Sequence, residues 1–210
     1  MARDYILHKV RTALGRSAGQ APEEVPPARI AIPEIDFESR VRTFFSRIEE
    51  LAGKTYRAES PEDARDYVAR VTGGRSAVAS NAPILAECGI TGLAGVRYGF
   101  HGEPELREAC STAEFGITGA DYALADTGSL VMLSSADEAR MVSLLPPVHI
   151  AIVGKARLLT GLDELFTVLP DPASQTSSMV VITGPSRTAD IEQFLIRGVH
   201  GPGEIHVVLI

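Results

Sequence analysis

Two short stretches concentrate the groups that hold or activate small polar ligands. Gly116-Ile117-Thr118-Gly119-Ala120-Asp121 is followed shortly by Ala125-Asp126-Thr127-Gly128-Ser129. Each sets a Thr and an Asp among glycines and so offers hydroxyls, a carboxylate and backbone N–H groups at one point. On this reading Asp121 and Asp126 are candidate catalytic carboxylates. Thr118, Gly119, Thr127, Gly128 and Ser129 are candidate ligand-binding residues. The same residue types also build ordinary tight turns, in which Asp and Thr bond local backbone and Gly supplies positive φ. Both readings stand at this point.

A third stretch lies near the C-terminus. Val180-Val181-Ile182 is a β-branched run, broken by Thr183-Gly184-Pro185-Ser186-Arg187-Thr188. Ile191, Phe194 and Leu195 then recur at helical spacing, which predicts a helix beginning near Asp190, and Ile205 to Ile210 form a last apolar strand. A helix N-terminus that follows a strand holds anions, and an adjacent arginine adds a fork for carboxylate or phosphate. Gly184, Ser186, Arg187 and Thr188 are therefore ligand-binding candidates. Alternatively, Ser186 or Thr188 only caps the helix and Arg187 pairs with a surface acid. His200, in the loop Gly198-Val199-His200-Gly201-Pro202-Gly203, is a candidate acid–base residue. His149 and His206 sit in apolar strands, where a buried, hydrogen-bonded histidine is the commoner outcome.

Several chemistries lack their signatures. There is no HExxH or HxxxH, no paired CxxC, no Walker A loop and no GxGxxG, so no metal ligation is expected. The one GxSxG string, Gly15-Arg16-Ser17-Ala18-Gly19, lies in a Gly/Pro-rich stretch and not on the strand-to-helix turn of a nucleophile elbow. Cys88 and Cys110 are the only cysteines, whereas an iron–sulfur cluster usually takes about four. Two buried small hydrophobes are the plainer reading of that pair. The net charge of -7 and pI near 5.3 argue against a general nucleic-acid surface. No apolar run is long enough to span a bilayer, and the N-terminus lacks the pattern of a secretory signal. A cytoplasmic location is expected.

The elements that must position these residues alternate. Residues 5–14 form an amphipathic helix, and a Gly/Pro-rich stretch with Pro26-Pro27 follows. This sets residues 1–35 apart from a domain at 36–210. Helices are expected at Phe37–Leu51, from Ser60-Pro61 to about Val71, at Pro83–Cys88 and at Gly161–Leu169. Strands are expected at Ala77–Ala79, Ala123–Ala125, Ser129–Leu133 and Val148–Val153. Asp126-Thr127-Gly128 reads as a hairpin turn. The alternation predicts an α/β fold around a mostly parallel sheet with one antiparallel intrusion.

Taken together in order, GITGADYALADTGSLVMLS, LPPVHIAIVG and VITGPSRTADIEQFLIRGVHGPGEIHVVLI resemble the lactate-utilisation (LUD) domain family over about residues 76–210. The short N-terminal helix and the lack of a cysteine-rich extension are similar to its single-domain branch. The resemblance implies a three-layer α/β sandwich similar to the NagB/RpiA/CoA-transferase group. It further implies a part in oxidising L-lactate to pyruvate beside iron–sulfur proteins, with the clusters on those partners and no cofactor on this chain. A small carboxylate or phosphate is the ligand class it implies. Two other readings remain. One is a stand-alone isomerase or acyl/CoA transferase, for which Glu114 is the acid just ahead of the Gly116 stretch. The other is a non-catalytic assembly module.

Overall fold

Residues that start and stop helices act as their types dictate. The Ser60 hydroxyl accepts the Asp63 N–H at 3.2 Å, Pro61 opens the first turn, and Gly73 closes the helix with φ 58°. Asp36 likewise accepts the Ser39 N–H at 2.9 Å. The computed structural model describes residues 2–17, 19–20, 32–191 and 194–210, with backbone alone at Ala2, 188–191 and 194–197. Internal contacts divide the chain into two units, Met1–Ala31 and Ile32–Ile210. The first carries α1 (Ala2–Ala13), whose Ile6 and Val10 are exposed.

In the second unit the order is α2 (Phe37–Glu50), β1 (Lys54–Arg57), α3 (Pro61–Thr72), β2 (Ala77–Ala79), α4 (Pro83–Glu87), β3 (Val96–Arg97), α5 (Glu103–Thr112), β4 (Phe115–Gly119), β5 (Tyr122–Leu124) and β6 (Ser129–Leu133). There follow α6 (Arg140–Leu144), β7 (Val148–Val153), β8 (Leu158–Leu159), α7 (Leu162–Val168), β9 (Met179–Ile182), β10 (Arg187–Ile191), β11 (Phe194–Arg197) and β12 (Glu204–Leu209).

Six strands form one all-parallel sheet in the order β1-β12-β7-β4-β2-β3. Its central strands are buried on both faces, so they are mainly apolar rather than alternating, with Thr118, His149 and His206 as buried polar exceptions. One face carries Ala77, Ala79, Phe115, Ile117, Ile150, Ile152 and Val208 against α3 and α4. On the other, Val78 meets Leu106, Ala109 and Cys110 of α5 and Val142 of α6. Further along that face, Ala151, Val153, Val207 and Leu209 meet Val41, Phe44 and Ile48 of α2. The result is three layers, helix–sheet–helix. Connections running towards β3 pass over the first face and those returning towards β1 over the second, as a single crossover hand requires. The direction reverses between the neighbours β2 and β4.

The expected antiparallel intrusion lies outside this sheet. The predicted hairpin, β5 with β6, joins β8 and β9 in a separate four-stranded sheet. Two sequence expectations need correction. The Gly116 stretch is not a loop as far as Gly119: it is β4, in the middle of the main sheet, with all five residues buried. Nor does a helix follow Thr188. Residues 187–191 and 194–197 form an antiparallel hairpin with a register shift between Thr188 and Ile191. A short apolar run satisfies helical spacing and strand alternation equally, and β-branched Thr188, Ile191 and Ile196 favour the strand.

Gly116 shows why β4 tolerates glycine. A Cβ there would fall on the Val142 carbonyl oxygen and lie 3.1 Å from Pro146 Cγ. The backbone of α6 therefore rests directly on the strand. Gly116→Ala must push a whole helix away and should destabilise the protein by about 3 kcal/mol, the upper end of overpacking costs. Denaturant unfolding of the two proteins measures it.

Candidate functional site

In open α/β sheets, ligands bind beyond the carboxyl ends of the strands where the winding direction reverses. Here that place lies beyond β2 and β4. It holds a crevice of about 450 Å³ between Ala82–Ile84, Gly119–Asp121 and the stretch after β7 that includes Arg157. Glu138, 7% exposed, reaches it from the chain just before α6. Its Oε2 accepts the Ser80 hydroxyl at 2.7 Å and the Gly119 N–H at 3.3 Å. Its Oε1 has no hydrogen-bond partner among the described residues. Burial pushes this carboxyl up to about 8, with Asp121 and Asp137 adding to the rise against the opposing Ser80 and Gly119 hydrogen bonds. Burial also raises Asp121, whose Oδ2 accepts the Leu133 N–H at 2.7 Å. Gly119 is required by packing: a Cβ would stand 2.9 Å from Ala82 Cβ.

A second cleft, of about 240 Å³, opens on the α6 side of the sheet near the starts of β7 and β12. Its lining includes Ser143, His149, Thr183, Gly184, Ser186 and His200. His149 is 1% exposed, and its Nε2 lies 2.8 Å from Thr118 Oγ1. Its Nδ1 is unpartnered among the described residues. Burial pushes the ring down to about 4, so it is neutral at physiological pH. The loops around the cleft are tied together: the Ser186 N–H donates to the Pro202 carbonyl at 2.8 Å, and Gly184 turns with φ 80°.

The structure therefore divides the residues singled out by sequence. Gly184, Ser186 and His200 line the His149 cleft. Thr118 reaches it through His149, and Ser129 through Thr183, whose hydroxyl is 2.8 Å away. Arg187, exposed at the start of β10, places Nη2 3.6 Å from where a Cβ of Gly184 would stand. It is not at a helix end, so the helix-terminus anion site expected there does not exist. Thr188 follows it in the strand, its side chain outside the described residues. Gly119 and Asp121 belong to the other crevice. Asp126, Thr127 and Gly128 are turn residues. Asp126 packs over Gly161 and its carbonyl accepts from Arg47 Nε at 3.2 Å, Thr127 bonds Ser129 at 2.8 Å, and Gly128 lets the turn press on α2. Glu114, exposed and paired with Arg75 at 3.0 Å, stands at the opposite end of β4 from the crevice. His206 is a structural link, bonded to Tyr67 at 2.8 Å and Glu204 at 2.7 Å. Sequence reasoning missed Glu138, because Ser134–Glu138 reads only as a polar loop. It weighed His149 chiefly as a core residue. The signal for both was positional: polar groups just beyond or within strands too apolar to be at the surface.

The architecture is that of a three-layer α/β protein with a crevice at the reversal point of its sheet. Comparison with known proteins narrows this. The LUD domain family model matches residues 41–210, and the chain belongs to that family. A protein of Halalkalibacterium halodurans called Lactate utilization protein C is 36% identical over 157 residues, 71% of this chain and 68% of the relative. The Bacillus subtilis protein of the same name is 37% identical over 113 residues, and that match spans about half of each (52% and 47%). One from Deinococcus radiodurans is 27% identical over 208 residues, 95% of this chain and 92% of the relative. The crystal structure of a DUF162 family protein from Deinococcus radiodurans shares the fold, with TM-score 0.64 and 19% identity over 84% of this chain and 99% of that one. Among the described residues no helix is long and apolar enough to cross a membrane.

The two buried groups give opposite pH signatures. Folded Glu138 keeps its proton up to about 8 against an ordinary 4.5, so the folded state binds the extra proton and stability falls as pH rises between those values. Glu138→Gln removes that loss and should be more stable than the native protein at pH 9 by on the order of 5 kcal/mol, with little difference at pH 4. Folded His149 loses its proton at about 4 rather than 6.5, so its contribution is lost as pH falls through that range. His149→Gln should flatten this acid limb. Thermal unfolding followed by circular dichroism from pH 4 to 9 reads both, and a Glu138→Gln curve parallel to the native one would refute the first.

Proposed function

We propose that this chain serves in lactate utilisation, as the substrate-handling subunit of a cytoplasmic system that oxidises L-lactate to pyruvate. Separate iron–sulfur proteins carry the electrons, and this chain binds no redox cofactor of its own. The observation that carries this reading is family membership together with relatives named Lactate utilization protein C. The thiols support the division of labour. Cys88 and Cys110 are buried in different apolar clusters, and burial raises both, Cys110 to about 11, which disfavours the thiolate a cluster needs.

In this proposal the 2-hydroxy acid enters the His149 cleft. Its carboxylate pairs with Arg187 at the mouth, and its hydroxyl meets Ser186 and His200. The neutral His149 ring presents a donor or acceptor from an apolar floor made by Val180, Ile182 and Ile205. Low polarity strengthens such hydrogen bonds, and among the described residues no carboxylate lines the cleft to repel an anion.

Cells lacking only this chain should lose growth on L-lactate and regain it on re-expression; undiminished lactate oxidation without it ends the proposal. At the site, Arg187→Ala should weaken L-lactate binding by about 1.5–3 kcal/mol, the worth of a hydrogen bond to a charged group, measured by calorimetry. An assembly module would tolerate the change, keeping full lactate oxidation in cells carrying Arg187→Ala.

A further inference from the structure

The crevice beyond β2 and β4 carries chemistry that the lactate reading leaves unused. Its floor is a buried carboxyl with one oxygen committed and one free. Glu138 Oε2 already accepts from Ser80 and Gly119, so a proton on this group resides on Oε1, which has no partner among the described residues. Oε1 is itself out of reach of solvent, so it offers its O–H only to a ligand seated against the crevice floor. The charged groups at its edge are unequal. The crevice is lined, among the described residues, by Glu87 of α4, Asp121 after β4 and Asp137 beside Glu138, with one cation, Arg157. Among the described residues no group of three or more His, Cys, Asp or Glu is arranged to hold a metal ion. A simple anion is repelled by the three acids, and a simple cation leaves the Arg157 guanidinium and the Glu138 O–H without an acceptor. A zwitterion fits both. Ala82, Pro83, Ile84 and Ala156 add an apolar wall beside the charged edge.

We propose that this crevice binds an α-amino acid with a small apolar side chain. The carboxylate is shared by Arg157 and the Glu138 O–H, the ammonium lies among Asp121, Asp137 and Glu87, and the side chain rests on Ile84 and its neighbours. The volume of about 450 Å³ admits such a molecule whole. The raised proton affinity of Glu138 makes it a donor at neutral pH. Above about 8 its ionisation turns that donor into a repelling charge.

The test is calorimetry on the full chain with L-alanine, L-valine and L-leucine, each beside its 2-hydroxy analogue. The amino acid should bind at least tenfold more tightly than the matched hydroxy acid, because only it satisfies the acids. Binding should weaken about tenfold between pH 7 and pH 9. Glu138→Gln keeps a donor and cannot ionise, so it should bind within threefold of the native chain at pH 7 and lose that pH dependence. Arg157→Ala, at an exposed position, should lose at least tenfold. Absence of amino-acid binding, equal binding of amino and hydroxy acids, or a native pH profile without the drop overturns the proposal, and the last needs no variant to fold. L-lactate binding weakened by Arg187→Ala but not by Arg157→Ala separates the two clefts, so either proposal can fail without the other.

Discussion

The contact on which both candidate sites depend is the backbone of α6 lying on the bare strand at Gly116. Only a residue without Cβ lets the Val142 carbonyl come so close, and α6 is a short helix of five residues. From that seat the chain leaves in two directions. Backwards it delivers Glu138 to Ser80 and Gly119 at the carboxyl end of the sheet. Forwards it delivers Ser143 and Leu144 to the wall of the His149 cleft. A change of packing at one glycine thus reaches two cavities at opposite ends of β4. Tight packing transmits displacement rather than absorbing it.

Burial also explains the electrostatics. A charged group in an apolar interior is costly, and titratable groups avoid the cost by changing protonation state. Glu138 and His149 do so in opposite senses, one holding a proton and the other shedding it, and at neutral pH both are uncharged. Each keeps one bonded atom and one that is unpartnered among the described residues. Polar atoms left unmatched in this way weaken the fold, and a ligand that matches them recovers the loss.

Local structure was legible where a residue's type decides its backbone. Ser60-Pro61 and Gly73 bound α3, Asp126-Thr127-Gly128 turns a hairpin, and Val148–Val153 is too apolar to be anything but a buried strand. Two stretches misled for physical reasons. Gly116 and Gly119 are present for close approach to α6 and α4, not for positive φ, so glycines that read as a loop belong to a central strand. Thr188–Arg197 offers apolar residues at spacings compatible with either element, and pairing between its two arms decided the outcome. The sites themselves were legible only in part. His200, Gly184 and Ser186 lie close in sequence and share a cleft. Ser80, Gly119, Glu138 and Arg157 meet only because the winding reverses between β2 and β4, a relation with no local signature.

That reversal separates two environments that a net charge of -7 would otherwise blur. The His149 cleft lies between α6 and the second sheet, where its walls are hydroxyls, imidazoles and aliphatic groups with Arg187 at hand. At the carboxyl ends of β2 and β4 the crevice is lined by Glu87 of α4, Asp121, Asp137 and Arg157. Charges lining one crevice act on a ligand seated in it with only partial screening by salt, since the Debye length at physiological ionic strength is about 8 Å. The same ligand therefore meets different potentials in the two cavities. A carboxylate alone is suited to the first, and the second asks for a positive charge on the same molecule. Discrimination between a hydroxyl and an ammonium on otherwise identical carbon skeletons follows from where the sheet places its acids, without any change in cavity shape.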